Sequence, residues 1–462
     1  MKLNLDDPGL NRYLRVYSYY KDLILSGSLS AGTKLPSIRK CSMQLQLSRT
    51  TVETAYMLLA AEGYIISRPQ SGYYVTDFFT GSRRETGKAE RAEQKEPGIR
   101  YDFASSNVDA ESFQFDLWRR YVKSALRRDE RLLSYGEPQG ELELREAISG
   151  YLGRHRNVVC SPESIVVGAG VQSLLHVLCP MIGERKQAYF YNAGFRQGRQ
   201  IFEDHGFDTE DIRMARAEGG PKEGSICYLT PSQMTSWGEV MHIGERMELI
   251  REAHQKRLLI LEDDYNSEFR YYQRPTPSLQ GLAGGQGVVY LGTFSRLLLP
   301  SIRMSFMVLT PELLALYRQR GRFYNQTASK AEQIALCQFI RDGHLESQIR
   351  KARKLYTAKA KKLAEEVRLL FGDRAIPHLG EAGFLLLVEL QTEKASAVIA
   401  EEAARAGVAV RPVWEEGGGN PRILLSCASV PTEDYREALK TLYQVIFPPS
   451  PDEGDGFEAA AF

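Results

Sequence analysis

Residues 35–75 read LPSIRKCSMQLQLSRTTVETAYMLLAAEGYIISRPQSGYYV, and their chain breaks and apolar spacing agree on one arrangement. Ser37 can accept a hydrogen bond from a free N–H at the start of a short helix running through Leu45. Ser48 can do the same for the next helix, in which Val52, Ala55 and Leu59 recur at helical spacing. GYIISRPQSGYYV then supplies two short apolar strands around a turn with Pro69 and Gly72. Upstream, Leu14, Tyr17, Leu23 and Ile24 give a first helix its apolar stripe. Helix, helix, turn, helix and hairpin is the order of a winged helix-turn-helix.

Charge follows the same plan. From Lys34 to Arg49 the chain carries Lys34, Arg39, Lys40 and Arg49 and no acid. Arg49, Thr50 and Thr51 open the third helix, where a recognition helix meets base edges. Arginine grips guanine through two hydrogen bonds, and threonine bonds a phosphate or touches a thymine methyl. Arg39 is placed for the backbone or the groove edge. The expected partner is double-stranded DNA carrying an operator. A solvated basic face is the alternative; the helix order argues against it. The stretch resembles the DNA-binding domain of the GntR regulators in Leu35-Pro36-Ser37 with Arg39, Ser48-Arg49-x-Thr51-Val52, Ala55-Tyr56, Glu62-Gly63-Tyr64 and Gly72 before Val75. That resemblance implies a dimeric repressor or activator whose other domain senses a small molecule, and it adds Gly72 to the DNA-binding set.

At 462 residues the chain exceeds what one core usually serves. Net charge is only +1, so a basic footprint has to be local. Six scattered cysteines without a C-x-x-C pair read as reduced thiols, with neither a disulfide framework nor a metal site. MKLNLDDPGLNRY lacks a signal-peptide core, and no run reaches the ~18 apolar residues of a membrane helix. A cytoplasmic location is expected. GSRRETGKAERAEQKEPG, residues 81–98, has no apolar side chain except alanine and cannot bury enough surface to order itself. The expected domains are a DNA-binding head over 1–78, a charged linker over 79–100, a large domain over 101–447 and an acidic tail over 448–462.

Beyond residue 100 strands alternate with helices, as in an α/β doubly wound sheet. SIVVG (164–168), AYFYN (188–192), ICYLT (226–230), LLILED (258–263), VVYLGTF (288–294) and RMSFMVL (303–309) read as buried strands. FLLLVEL (384–390), VAVRPV (408–413) and RILLSCA (422–428) belong to a smaller C-terminal α/β lobe. Ligands lie at the carboxyl ends of such strands. There, Gly170 and Val171 open a helix whose N–H groups suit a phosphate. Asp263 suits a protonated ring nitrogen, Tyr265 a phenolate oxygen, and Phe195 a flat ring. Arg303 suits a phosphate and Arg422 a carboxylate.

Residues 100–447 resemble the fold type I aminotransferases. The match rests on SYGEPQGELELREAI (134–148), GAGVQ (168–172), LTPSQ (229–233), EDDYNSEFRY (262–271), GTFSRLLLPSIR (292–303) and GHLESQIRKARKLY (343–356). A GntR-like head on such a body is similar to the MocR regulators. The resemblance implies pyridoxal 5′-phosphate, with Gly170, Val171 and Arg303 at its phosphate, Phe195 stacked, Asp263 at the pyridine nitrogen and Tyr265 at the hydroxyl. Arg422 would meet an effector carboxylate.

Three departures qualify it. Arg296 stands where the family has the lysine that forms an imine with the cofactor, and no lysine occurs from 257 to 329. QMTSWG follows LTPS where a proline precedes Thr-Gly in the family, and Asn192-Ala193 replaces Asp-Pro. A guanidinium has no free lone pair to attack an aldehyde. An enzyme is therefore not expected, and neither a catalytic residue nor a metal ligand is assigned. An aminotransferase-like enzyme or a regulator sensing pyridoxal 5′-phosphate is the alternative to a regulator whose large domain dimerises and senses a small anionic ligand. The cofactor is held without covalent attachment or not at all. Arg296 either pairs with Asp263, plugging the cofactor's place, or joins Arg303 in a cationic clamp.

Overall fold

The computed structural model describes residues 11–77, 98–105, 107–127, 129–191, 195–270, 276–413 and 419–448, with backbone only at 129 and 322. Most of the expected linker, the Asn192-Ala193 departure and all but the first residue of the tail lie outside the described residues. The chain divides into two compact units, Met1–Glu96 and Pro97–Phe462.

The first unit holds α1 (Arg12–Leu25), α2 (Ile38–Leu45), α3 (Arg49–Ala61) and an antiparallel hairpin of β1 (Ile65–Arg68) and β2 (Gly72–Val75). Both expected caps form. Ser37 accepts from Lys40 N at 3.2 Å and Ser48 from Thr51 N at 3.1 Å. The stripe expected on α1 is corrected: Val16, Tyr17, Tyr20 and Ile24 are its buried residues, and Leu14 and Leu23 are only half-buried. Tyrosine tips find partners inside this small core, which makes burying them tolerable. Tyr20 packs edge-on to Tyr56 at 5.6 Å, and the Tyr56 hydroxyl donates to Pro36 O at 3.0 Å.

In the second unit a short strand β3 (Tyr101–Asp102) precedes a seven-stranded sheet. Its strands are β4 (Ile165–Gly168), β5 (Gln187–Phe190), β6 (Asp208–Asp211), β7 (Ile226–Leu229), β8 (Leu259–Asp264), β9 (Val288–Thr293) and β10 (Ser305–Val308). They run in the order β4-β10-β9-β8-β7-β5-β6. All pairings are parallel except those of β10 with β4 and β9. Every residue of β4, β7, β8 and β10 is buried, as expected for strands covered on both faces. β6, sequence DTED, was not foreseen; an edge strand needs no apolar residues, so it carries no periodic signal.

The C-terminal lobe is a sheet of β11 (Ala375–His378), β12 (Leu385–Leu390), β14 (Arg411–Val413) and β15 (Arg422–Ser426), ordered β11-β12-β15-β14. The single strand expected over 408–413 is corrected to two. β13 (Val408–Ala409) pairs with β3, and β14 pairs with β15, so the chain changes sheets at buried Val410. No helix among the described residues is long and apolar enough to cross a membrane.

Candidate functional site

On the head, Arg39, Lys40, Arg49 and Thr50 are exposed, and the only acid in α2 and α3 is Glu53. Thr51 is half-buried and its hydroxyl lies 2.7 Å from Ser48 Oγ, so it also serves the cap. Gly72, at φ +107°, opens β2 in a conformation that side chains rarely adopt. Across the hairpin the Arg68 guanidinium stands 4.6 Å from the Tyr74 ring centroid, with the Lys34 ammonium at 5.8 Å. Sequence reasoning passed over Arg68, although its place beside the turn of a hairpin wing was a usable signal.

In the large unit, strand register aligns the candidate residues. Gly168 pairs with Ser305, Ser305 with Thr293, and the neighbouring Gly292 with Asp264. The carboxyl ends of β4, β8 and β9 therefore meet at one edge, where the loops carrying Gly170, Tyr265, Arg296 and Arg303 emerge. Gly170 caps the helix Val171–Leu178 at φ +97°. Arg303, itself left-handed at φ +50°, lays its guanidinium against that glycine: a Cβ on Gly170 would stand 2.5 Å from Nη2. Arg303 is exposed, and no hydrogen bond or ion pair among the described residues engages its guanidinium. Beside it, Ala169 N donates to Thr327 Oγ1 at 2.9 Å.

Three carboxylates in a row end β8, and alternation of side chains sorts them. Glu262 accepts from Leu279 N and Gln280 N, each at 2.9 Å. Asp264 is held by Arg156 at 2.6 Å and the Tyr290 hydroxyl at 2.5 Å. Asp263 faces the other way. One oxygen accepts from the Tyr228 hydroxyl at 2.6 Å; the other, Oδ1, is buried without a partner. Burial, reinforced by the charge of Asp264 and opposed by the Tyr228 bond, pushes the Asp263 carboxyl up to about 7. Phe195 tilts onto the Tyr228 ring at 5.6 Å, which makes Tyr228 part of the wall. Tyr228 was missed because it sits inside an apolar strand.

Arg296 is half-buried, with Cζ 5.0 Å from the Phe384 ring centroid. No ion pair joins it to Asp263 among the described residues, so the plug formed by that pair is absent. Burial lowers its pKa, the Tyr265 phenol raises it, Arg411 lowers it further and the Tyr356 phenol raises it. Tyr265 feels both charges: burial, then the Asp263 charge, push its phenol up to about 12, and Arg296 opposes. Ser295 Oγ, next in the chain, is buried and unpartnered.

Backbone register sets Arg422 at the far end of β12 from Phe384. Phe384 precedes Leu385, which pairs with Ser426, whereas Arg422 pairs with Glu389 at the other end of β12. Four residues at about 3.3 Å each separate those ends by about 13 Å. Arg411, opposite Leu424 on β14 and donating to Ala104 O at 2.8 Å, is the arginine whose charge reaches Arg296. The QMTSWG wall is tightly packed: Gln233 Nε2 donates to Ser236 O at 3.2 Å, and a Cβ on Gly238 would lie 1.8 Å from Ala382 O.

Residues 101–442 match the family described as aminotransferase class I and II, and residues 12–75 match the gntR family of bacterial regulatory proteins. The chain is 35% identical to the uncharacterized HTH-type transcriptional regulator YdeL of Bacillus subtilis (strain 168), over 94% of this chain and 98% of that one. It is 28% identical to the probable rhizopine catabolism regulatory protein MocR of Rhizobium meliloti, over 94% of each. Among solved structures it is similar to an archaeal alanine:glyoxylate aminotransferase, with a TM-score of 0.68 at 20% identity, over 77% of this chain and 93% of that one. Kynurenine aminotransferase of Pyrococcus horikoshii gives a TM-score of 0.65 at 20% identity, over 76% and 91%. These two likenesses concern the fold alone.

Proposed function

Because the chain belongs to the aminotransferase class I and II family and, through its gntR head, to the MocR type of transcriptional regulator, we propose that its large unit dimerises and senses a small anionic ligand without covalent chemistry. The observation that carries this reading is Arg296, half-buried over Phe384 and without an ion pair among the described residues.

Pyridoxal 5′-phosphate, the cofactor that the family implies, fits in part. The Gly170 cradle, which a Cβ would fill, together with Arg303 suits its phosphate. The orphaned Oδ1 of Asp263 suits a protonated ring nitrogen. Bound, the group supplies an aldehyde and an electron-withdrawing ring. Arg296 lacks the amine that would engage that aldehyde, so the residues favour reversible holding and no turnover.

Leu133 and Tyr135, 88% and 99% exposed, support dimerisation, since such side chains ask for cover. On the head, Arg49 would read a base edge, with Arg39, Thr50 and Thr51 at the backbone or groove and the Gly72 hairpin as wing. The test is a titration of full-length protein with pyridoxal 5′-phosphate, followed by absorbance, thermal shift and gel shift on the native operator. Expected are a stabilising shift, altered DNA affinity and no borohydride-trapped lysine. A trapped lysine, or a ligand that changes neither stability nor DNA binding, would sink the proposal.

A further inference from the structure

We propose that the pocket selects a ligand with two separated anionic groups, a phosphate at Gly170 and Arg303 and a carboxylate at Arg296, so that an acid binds in preference to the matching aldehyde or amine. This rests on the reading of the pocket as a ligand sensor.

Arg296 is half-buried over Phe384 and feels the phenols of Tyr265 and Tyr356, and Arg411 is the charged side chain that acts on it. Among the described residues no carboxylate pairs with the Arg296 guanidinium. A partly buried guanidinium that feels a second positive charge gains from an accompanying anion. Its planar fork matches a carboxylate through two parallel hydrogen bonds. The adjacent Ser295 Oγ is a buried hydroxyl with no partner, available as a further donor. Asp263, 7% exposed and with Oδ1 unpartnered, indicates independently that this space is built around a polar ligand. Tyr265, two residues along the chain, feels both Asp263 and Arg296, so the ring-nitrogen contact and the carboxylate subsite belong to one pocket, across the ring from each other.

Arg303 supplies the other pole. Its guanidinium rests on Gly170 at the start of the helix Val171–Leu178. The two arginines are seven residues apart, on the segment that links β9 to β10, whose ends pair at Thr293 and Ser305. The phosphate is thus held by a helix terminus and a guanidinium, and the carboxylate by a guanidinium alone. An ammonium group at Arg296 would meet like charge, and an aldehyde would accept only a neutral hydrogen bond.

Three probes share ring and phosphate and differ at one substituent: 4-pyridoxic acid 5′-phosphate, pyridoxal 5′-phosphate and pyridoxamine 5′-phosphate. Calorimetric titration of the full-length protein should rank the acid first, by about tenfold or more over the amine. Arg296→Gln should bring the three affinities together, and circular dichroism establishes that this variant folds. Arg296→Lys, which keeps the charge, should keep the acid ahead of the amine. Equal binding of acid and amine by the wild-type protein overturns the selectivity while leaving ligand sensing intact. Binding of none of the three overturns both readings.

Discussion

Arg303 and Gly170 meet so closely that a single methyl group would separate them: a Cβ on Gly170 would lie 2.5 Å from Arg303 Nη2. Both backbones are left-handed, at φ +97° and +50°. Gly170→Ala should therefore strain the turn and displace the guanidinium, at about 1–3 kcal/mol. A lower melting temperature, with weaker binding of pyridoxal 5′-phosphate by calorimetry, is the expected outcome. Unchanged binding would remove Arg303 from the phosphate site.

Arg49 is exposed at the first turn of α3, and Ser48 caps that turn. Arg49→Ala should cost about 1–3 kcal/mol of operator affinity and leave stability unchanged. Fluorescence anisotropy at fixed salt measures it. Equal affinity for operator and scrambled DNA in both proteins would remove Arg49 from base readout.

Arg296→Lys tests the missing amine directly. Asp263 and Arg303 remain in place, so an amine at 296 should give a yellow, borohydride-trappable lysine adduct with pyridoxal 5′-phosphate, where wild type gives none. Absorbance and peptide mapping of the two proteins decide the matter. A colourless variant would indicate that the QMTSWG wall, packed onto Ala382, excludes the ring.

Asp263 titrates at about 7 in the folded chain against an ordinary 3.8. A carboxyl raised on folding contributes stability that is full below the unfolded value and is lost as pH rises through the folded one. Wild type should thus lose that contribution between about pH 4 and pH 7. Asp263→Asn keeps an acceptor for Tyr228 and carries no such loss. The melting temperature of Asp263→Asn minus that of wild type should increase from pH 5 to pH 8. A flat difference would mean that Asp263 stays ionised throughout.

Leu133 and Tyr135 offer a direct test of assembly. Light scattering of the full-length protein at micromolar concentration should give a dimer, and the double change Leu133→Asp with Tyr135→Asp should shift it towards monomer. A dimer indifferent to the change would move the interface elsewhere.

The sequence by itself determined what depends on local chemistry. Ser37 and Ser48 announced two helix starts because a cap is a contact between residues three apart. Six of the seven strands of the large sheet, all but the edge strand β6, showed as apolar runs because they are covered on both faces. Position 296 excluded an amine whatever its surroundings, because guanidinium chemistry does not depend on the fold. Tertiary structure alone decided what depends on which distant segments meet. Tyr228 became the partner of Asp263 because β7 lies beside β8, and nothing in ICYLT announces that. The charge that reaches Arg296 is that of Arg411, which register sets opposite Leu424, two residues nearer than Arg422 to the Ser426 end of β15. A one-dimensional pattern records which face a residue takes and leaves open which strand end it faces, since register is set by packing across the whole sheet.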